Sequence, residues 1–544
     1  MKTFLQRNAI FIGIASAFVL WAGAYIWSAS FIAVDGLRYF ALFDDAMISM
    51  RYAWNFSHGH GLVWNAGEYV EGYTNFLMTL FMSVATRVFS KRLAVLAVQV
   101  FGVGVLLAIA SLSVKISRQL WGPAPTRPHK SLDVLVFAGI LAYYPLSYWA
   151  IMGMETGVQT LLILAAVAFA FQYRDSHRQG WLVSLSVSLA LAYLARPDSL
   201  IPGLVIFLYA FGELWDNKKA KPIMVQAAYL IVPFLALLIT HQLFRLSYYG
   251  EMLPNTYYLK VGGVPVMVRL RNGANFINGF LLESSVLLVI AMAGSISKFT
   301  KEKLFLLTLI ASIILDQIWV GGDAWAYWRM MVPGIPLAII LLFHALSPWI
   351  FSDIRETQPQ QLGRLNTTYL KNSFSRIMGS ALILICFTLL NARFWPEISM
   401  RTLPFLTDLN HTNINKAILL QEITTEQATM GVKRAGIIPY FTGRYSIDFF
   451  GKADPYIAHL PPILDLAGTY RNWLYFPGHN KYDADYSIKQ LQPTFIEEYH
   501  TGDADILAWG STRYAEVTYQ GMSFTLLKDS ADVLWDLLQM SNDR

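Results

Sequence analysis

Apolar runs long enough to cross a lipid bilayer recur along the first three quarters of this chain, and no other feature restricts its fold as strongly. A helix needs about 20 predominantly apolar residues to cross a hydrocarbon core of roughly 30 Å, and inside lipid every backbone N–H and C=O must be satisfied within the segment. Such runs lie near 9–30, 93–115, 132–151, 157–172, 181–195, 199–213, 223–245, 277–296, 303–320, 332–350 and 377–395, about eleven in all. Only 14% of the 544 residues are charged, against roughly 25% in soluble domains, which excludes an ordinary water-soluble enzyme. The expected fold class is a polytopic α-helical membrane protein. Its membrane part should occupy 1–395.

Charge placement predicts the orientation. The formal net charge of +6 comes largely from Lys and Arg between the apolar runs, so it reports topology and anionic lipid rather than nucleic acid. Lys2 and Arg7 precede the first run, which is longer than the apolar core of a cleaved signal and reads as a retained helix with a cytoplasmic N-terminus. The cation-rich stretches 115–130, 173–178, 216–221, 298–303 and 355–376 are expected on the same side, and 351–376 as a long cytoplasmic loop. The segment 76–90 breaks this order if it crosses, so it is expected to lie at the interface or to re-enter the membrane. The long first loop, 31–92, and the C-terminal part then face outward.

From about Trp395 the pattern changes to strand-like runs, RAGIIPYFTGRYSIDFF and AEVTYQGMSFTLL, followed by the helical ADVLWDLLQM. A mixed α/β extracytoplasmic domain over 396–544 is expected. Cys386 is the one cysteine and sits in an apolar run, so neither a disulfide framework nor a cysteine metal cluster can form within one chain.

The unusual polar motifs all fall on the outer side: FDDAMISMRYA, EYVEGYTN, GMETG, LARPDS, YYGEMLPNTYYLK and VGGDAWAYWRM. Charges beside hydrocarbon need a partner or a wet cavity, which makes Asp44, Asp45, Glu155, Arg196, Asp198, Asp323 and Arg329 candidates for a shared pocket. Structural alternatives exist for some of them. Arg196-Pro197-Asp198 also suits a pair that caps a helix, and Glu155 suits a helix start. Adjacent like charges gain nothing structurally, so the Asp44-Asp45 pair points to function, with Asp44 the first choice for a base that takes a proton from a hydroxyl. Arg196, Lys260 and Arg329 suit an anionic headgroup such as a lipid phosphate, although Lys260 alone is equally well placed to snorkel. The tyrosines and tryptophans of these loops read as an interfacial belt. His58 and His60 lack a clear third metal ligand. No glycine-rich phosphate cradle and no GxSxG motif occurs, so nucleotide-dependent chemistry has no support.

The stretch FDDAMISMRYAWNFSHGHGLVWNAGEYVEGYTNFLMTL resembles the first outer loop of the GT-C superfamily of polytopic glycosyltransferases, closest to the group that contains the mycobacterial terminal β-arabinofuranosyltransferase. The resemblance continues through GMETGVQTLL, LARPDS, YYGEMLPNTYYLK, GGDAWAYWRMMVPGIPL and AGIIPYFTGRYSIDFFGKADPYIA, from about 40 to 480. It implies an inverting transferase that uses a polyprenyl-phosphate sugar on the periplasmic face of a bacterial inner membrane, with Asp44 or Asp45 as base. The acceptor implied is a cell-envelope glycan or lipopolysaccharide. Asn255, Tyr257, Lys260, Arg196 and Arg329 become expected donor-phosphate residues. Glu71, Tyr73, Asn75, Glu155, Asp198 and Asp323 become expected acceptor or site-shaping residues. A divalent cation is left open, since relatives differ. Tyr69 departs from the group, where an Arg is common. The rival reading is a transporter or flippase of a lipid-linked saccharide, which predicts charges near mid-bilayer and related halves.

Overall fold

The computed structural model describes residues 2–120, 130–216, 222–351, 365–467, 469, 473–499 and 503–542. The expected cytoplasmic stretches 115–130, 216–221 and 351–376 therefore lie largely outside the described residues. Among the described residues nine helices are long and apolar enough to cross a membrane, or ten if one bent pair is a single span. This is a multi-span membrane protein.

The expectation of about eleven spans is corrected at two places, each with a local cause. The run at 132–151 forms two helices, Lys130–Leu141 and Tyr144–Ile151, bent by 55°. Pro145 sits in the first turn of the second helix, has no N–H to give, and its ring would clash with the carbonyl one turn earlier. The run at 181–195 is the helix Gln179–Ala195, only 17 residues long, closed by Arg196 in extended conformation ahead of Pro197. The segment expected not to cross is the helix Phe76–Val88, whose 13 residues are too few for a crossing.

Packing separates a central helix from peripheral ones. In Ile335–Ile350 the residues 335–344 are all buried, whereas Ile223–Tyr249 buries only five side chains and exposes apolar residues on most of its surface. A helix apolar on every side is stable at the periphery only against lipid. The first outer loop is compactly folded. A hairpin of β1 (Phe31–Ile32) and β2 (Arg38–Tyr39) leads into the helix Asp44–Ser57, which packs beside Phe76–Val88.

The C-terminal part holds a mixed five-stranded sheet of β3 (Met430–Val432), β4 (Ser446–Asp448), β5 (Phe495–Ile496), β6 (Tyr514–Tyr519) and β7 (Met522–Leu527), in the order β4-β3-β5-β7-β6. The pairings β3/β4 and β3/β5 are parallel; β5/β7 and β6/β7 are antiparallel. AEVTYQGMSFTLL forms the expected hairpin, turned by Gln520 and Gly521, both at positive φ. RAGIIPYFTGRYSIDFF is only partly strand: Ile437–Thr442 is a helix ended by Gly443 at φ 72°, and β4 follows.

Arg51 fastens this domain to the first loop. Its buried guanidinium donates to the carbonyls of Trp64, Pro439 and Arg444 and to Asn65 Oδ1. Four of its five N–H donors are thus satisfied by backbone and amide oxygens.

Candidate functional site

The site is built from helix ends. Asp45 lies in the first turn of Asp44–Ser57, Glu155 caps Thr156–Ser176, Arg196 follows Gln179–Ala195, and Lys260 closes Asn255–Lys260. Asp323 and Arg329 come from the loop after Lys301–Val320, where Tyr327 (φ 63°) and Trp328 (φ 55°) are consecutive left-handed residues. That strained turn is held by Trp149 Nε1, which donates to the Tyr327 carbonyl at 3.0 Å. Lys452 arrives from the turn after β4, more than 400 residues along the chain from Asp45.

These residues enclose a cavity of about 440 Å³. Four cations line it, Arg196, Lys260, Arg329 and Lys452, but only two carboxylates, Asp45 and Glu155. Asp45 accepts from Lys452 Nζ at 2.9 Å, Trp325 Nε1 at 2.9 Å and Arg329 Nη1 at 3.3 Å. Arg329 also grips both oxygens of Asp323, at 3.0 and 2.9 Å, so Asp323 positions it. Arg196 pairs with Glu155 and, at 3.0 Å, with Asp198, while Asn75 donates to Glu155 at 3.0 Å. Tyr73 completes the wall, its hydroxyl 3.0 Å from that of Tyr249. Lys260 is the exception: it has no ion pair or hydrogen bond among the described residues.

A second cavity of about 1060 Å³ shares Thr74, Arg196, Thr256 and Lys260 with the first. It runs between helix ends, is lined by apolar residues such as Tyr193, Leu200, Val261 and Val320, and has Tyr257 and Asp323 in its wall. A charged chamber thus opens into a longer, mostly apolar one.

Burial and charge act differently on the two aspartates. Burial pushes the Asp44 carboxyl up to about 7 against the lowering effect of Lys452. For Asp45 burial would also raise it, but Lys452, Arg329 and Lys260 together outweigh that and hold it well below the usual carboxylate range. Glu155 is likewise lowered, burial being outweighed by Arg196 and Arg329. Burial lowers Lys260, outweighing the raising effect of Asp323 and Asp45.

Three of the expected site residues line neither cavity. Asp44, the first choice for the base, does not line the cavity: its Oδ1 accepts the N–H of Ile437 at 3.1 Å, with Gly436 so close that a Cβ there would lie 2.6 Å from Oδ1. Asn255 does not offer its amide to a phosphate, since Nδ2 donates to the carbonyls of Gly451 and Lys452 at 2.9 and 3.0 Å and so holds the Lys452 turn. Glu71, expected as an acceptor or site-shaping residue, forms a buried two-point pair with Arg245 at 2.5 and 3.1 Å and shapes the loop. Lys452 and Trp325 were missed as site residues. The only signal for Lys452 was the charged pair in GKAD directly after a strand, and Trp325 resembled a belt aromatic.

Among the described residues no three His, Cys, Asp or Glu side chains converge, and both cavity carboxylates pair with Arg or Lys. His58 bonds the Trp54 carbonyl within its own helix end.

A family model described as "Domain of unknown function (DUF8728)" matches residues 407–525. A terminal beta-(1->2)-arabinofuranosyltransferase of Corynebacterium glutamicum is 26% identical over 372 residues, 60% of this chain and 49% of that one. Its namesake from Mycobacterium tuberculosis is 29% identical over 230 residues, 40% of this chain and 34% of that one. The chain spans about half or less of the curated relatives it matches. Among solved structures, ArnT from Cupriavidus metallidurans bound to undecaprenyl phosphate superposes with a TM-score of 0.57 at 14% identity, covering 97% of this chain and 99% of that one. The Archaeoglobus fulgidus oligosaccharyltransferase superposes at 0.52 with 11% identity, over 97% and 75%.

Proposed function

We propose, on the premise of the GT-C fold that this chain has, that it is an inverting glycosyltransferase that takes a sugar from a polyprenyl-phosphate donor. The single observation that carries this reading is the cation-rich cavity, with its unpartnered Lys260, opening into an apolar chamber. A half-buried lysine without an ion pair is destabilising on its own and suits a site that an anion completes. The crystal structure of ArnT bound to undecaprenyl phosphate and that of AglB with a dolichol-phosphate supply the ligand class.

In this mechanism the lipid tail lies in the apolar chamber, and the phosphodiester is held by Lys260, Arg196 and Arg329. Asp45, kept ionised by its cation neighbours, accepts the proton of an acceptor hydroxyl. That oxygen attacks the anomeric carbon as the bond from carbon to the phosphate oxygen breaks. The electron pair leaves with polyprenyl phosphate, whose developing charge the same cations stabilise. One displacement inverts the anomeric centre, and one base is sufficient. Asp44 positions the helix that presents Asp45. The acceptor is a hydroxyl of a cell-envelope glycan or lipopolysaccharide, and the reaction takes place on the periplasmic face of a bacterial inner membrane. A flippase reading fits less well, because the charged groups sit at helix ends rather than within the spans.

The test is a reconstituted assay with purified protein, a polyprenyl-phosphate pentose or hexose and an envelope glycan. Mass spectrometry should find the acceptor heavier by one sugar, with polyprenyl phosphate released in equal amount. Release of lipid without a heavier acceptor, or no reaction with any of these donors, would refute the assignment.

A further inference from the structure

We infer that a groove between the first outer loop and the C-terminal domain is a binding site for neutral saccharide, separate from the bond-forming position. The inference rests on the transferase reading above for its biological sense, but not for its chemistry. The groove has a volume of about 710 Å³, and its walls include Glu68, Tyr69, Tyr445, Asp454, Tyr456 and Tyr486. No Lys or Arg lines it, whereas the reaction cavity is lined by four. A phosphate would meet carboxylates and no balancing cation in this lining. Vicinal sugar hydroxyls, by contrast, donate well to carboxylates, and sugar ring faces lie well on aromatic rings.

The tyrosines are already oriented for that purpose. Tyr445 donates to Glu68 at 2.5 Å, Tyr456 to Asp483 at 3.0 Å and Tyr486 to Asp454 at 3.3 Å. These bonds fix three of the hydroxyls, and the rings stay partly exposed: Tyr69, Tyr445 and Tyr456 are 55%, 45% and 47% exposed, with Tyr456 leaning on Tyr486 and Tyr69 set edge-on to Tyr248. Apolar rings half exposed beside carboxylates are unusual for a surface that only meets water.

The groove adjoins the reaction cavity through a thin wall. Lys452 lines the cavity and Ala453 the groove, and Val70 lines the groove two residues before Gly72 lines the cavity. Asp448 clamps this wall by accepting the N–H groups of Phe450 and Ala453 at 3.1 and 2.9 Å. Sugar units that precede the reacting hydroxyl in an acceptor chain would therefore extend toward the groove.

The experiment titrates the full-length protein, in nanodiscs and without donor, with a neutral arabinofuranosyl hexasaccharide, a neutral glucan hexasaccharide and inorganic phosphate. One of the two saccharides should bind, with affinity reduced at least tenfold in Tyr456→Ala, largely kept in Tyr456→Phe, and reduced again in Tyr445→Ala, at unchanged thermal stability. If neither saccharide binds, or if both alanine variants bind as the wild type does, the inference is wrong. Phosphate binding that falls in Tyr456→Ala would also overturn it. In transfer assays Tyr456→Ala should raise the acceptor KM and leave the donor KM unchanged. Saccharide binding in a protein without transfer activity would remove the transferase reading and keep the groove; transfer with an unchanged acceptor KM would do the opposite.

Discussion

Replacing the two neighbouring aspartates one at a time should separate their roles, because the fold gives them opposite environments. Asp45→Asn removes the one cavity carboxylate that touches Lys452, Arg329 and Trp325. Loss of a positioned base reduces turnover by about 10²- to 10⁴-fold. Arg329 keeps Asp323, so only Lys452 loses its close counter-ion, and the fold should weaken by about 1–3 kcal/mol. Asp44→Asn keeps an oxygen for the Ile437 N–H and should retain most of the turnover. Its signature lies in stability instead. The Asp44 carboxyl rises from 3.8 to about 7 on folding, so the folded state binds its proton more tightly than the unfolded chain. Its contribution is complete below the unfolded value and is lost as pH rises through the folded one, at ~1.4 kcal/mol per pH unit, or ~4 kcal/mol across the window. The amide does not titrate. Relative to wild type, Asp44→Asn should therefore gain roughly 3 kcal/mol between about pH 5 and pH 8, read from tryptophan-detected thermal unfolding in detergent alongside the transfer assay. A turnover loss confined to Asp44→Asn would refute the division of roles, and a stability difference that ignores pH would refute the account of Asp44 burial.

Lys260→Met should raise the donor KM at least tenfold, measured with a titrated polyprenyl-phosphate sugar, without loss of thermal stability, since the half-buried wild-type ammonium forms no ion pair or hydrogen bond among the described residues. Glu71→Gln should lower stability by about 3–5 kcal/mol by leaving Arg245 as an uncompensated buried charge, and the double variant with Arg245→Met should recover much of that, both read from denaturation midpoints. Gly72→Ala would place a Cβ 2.7 Å from the Lys452 carbonyl and 2.8 Å from the Tyr52 hydroxyl. It should weaken the fold by about 1–3 kcal/mol and, by displacing Lys452 from Asp45, reduce turnover measured at saturating donor.

Much of this protein is determined locally and is legible along the chain. The length of an apolar run decides whether a helix can cross a membrane, and the break at Pro197 separates the runs 181–195 and 199–213, whereas the bend at Pro145 falls unmarked inside the run 132–151, although proline's missing N–H and ring explain it. Asp45, Glu155, Arg196, Lys260, Asp323 and Arg329 were recognisable because a charge next to an apolar run must find a partner or a cavity. What the tertiary structure alone decided is which charge meets which. Asp44 and Asp45 are neighbours, yet one is turned to the Ile437 N–H and the other to three donors from distant loops. Asn255 and Glu71 looked equally fit for the site until the Lys452 turn and Arg245 claimed them. Electrostatic role depends on distances of a few ångströms between segments hundreds of residues apart, and those distances exist only after the helices and the C-terminal sheet have packed.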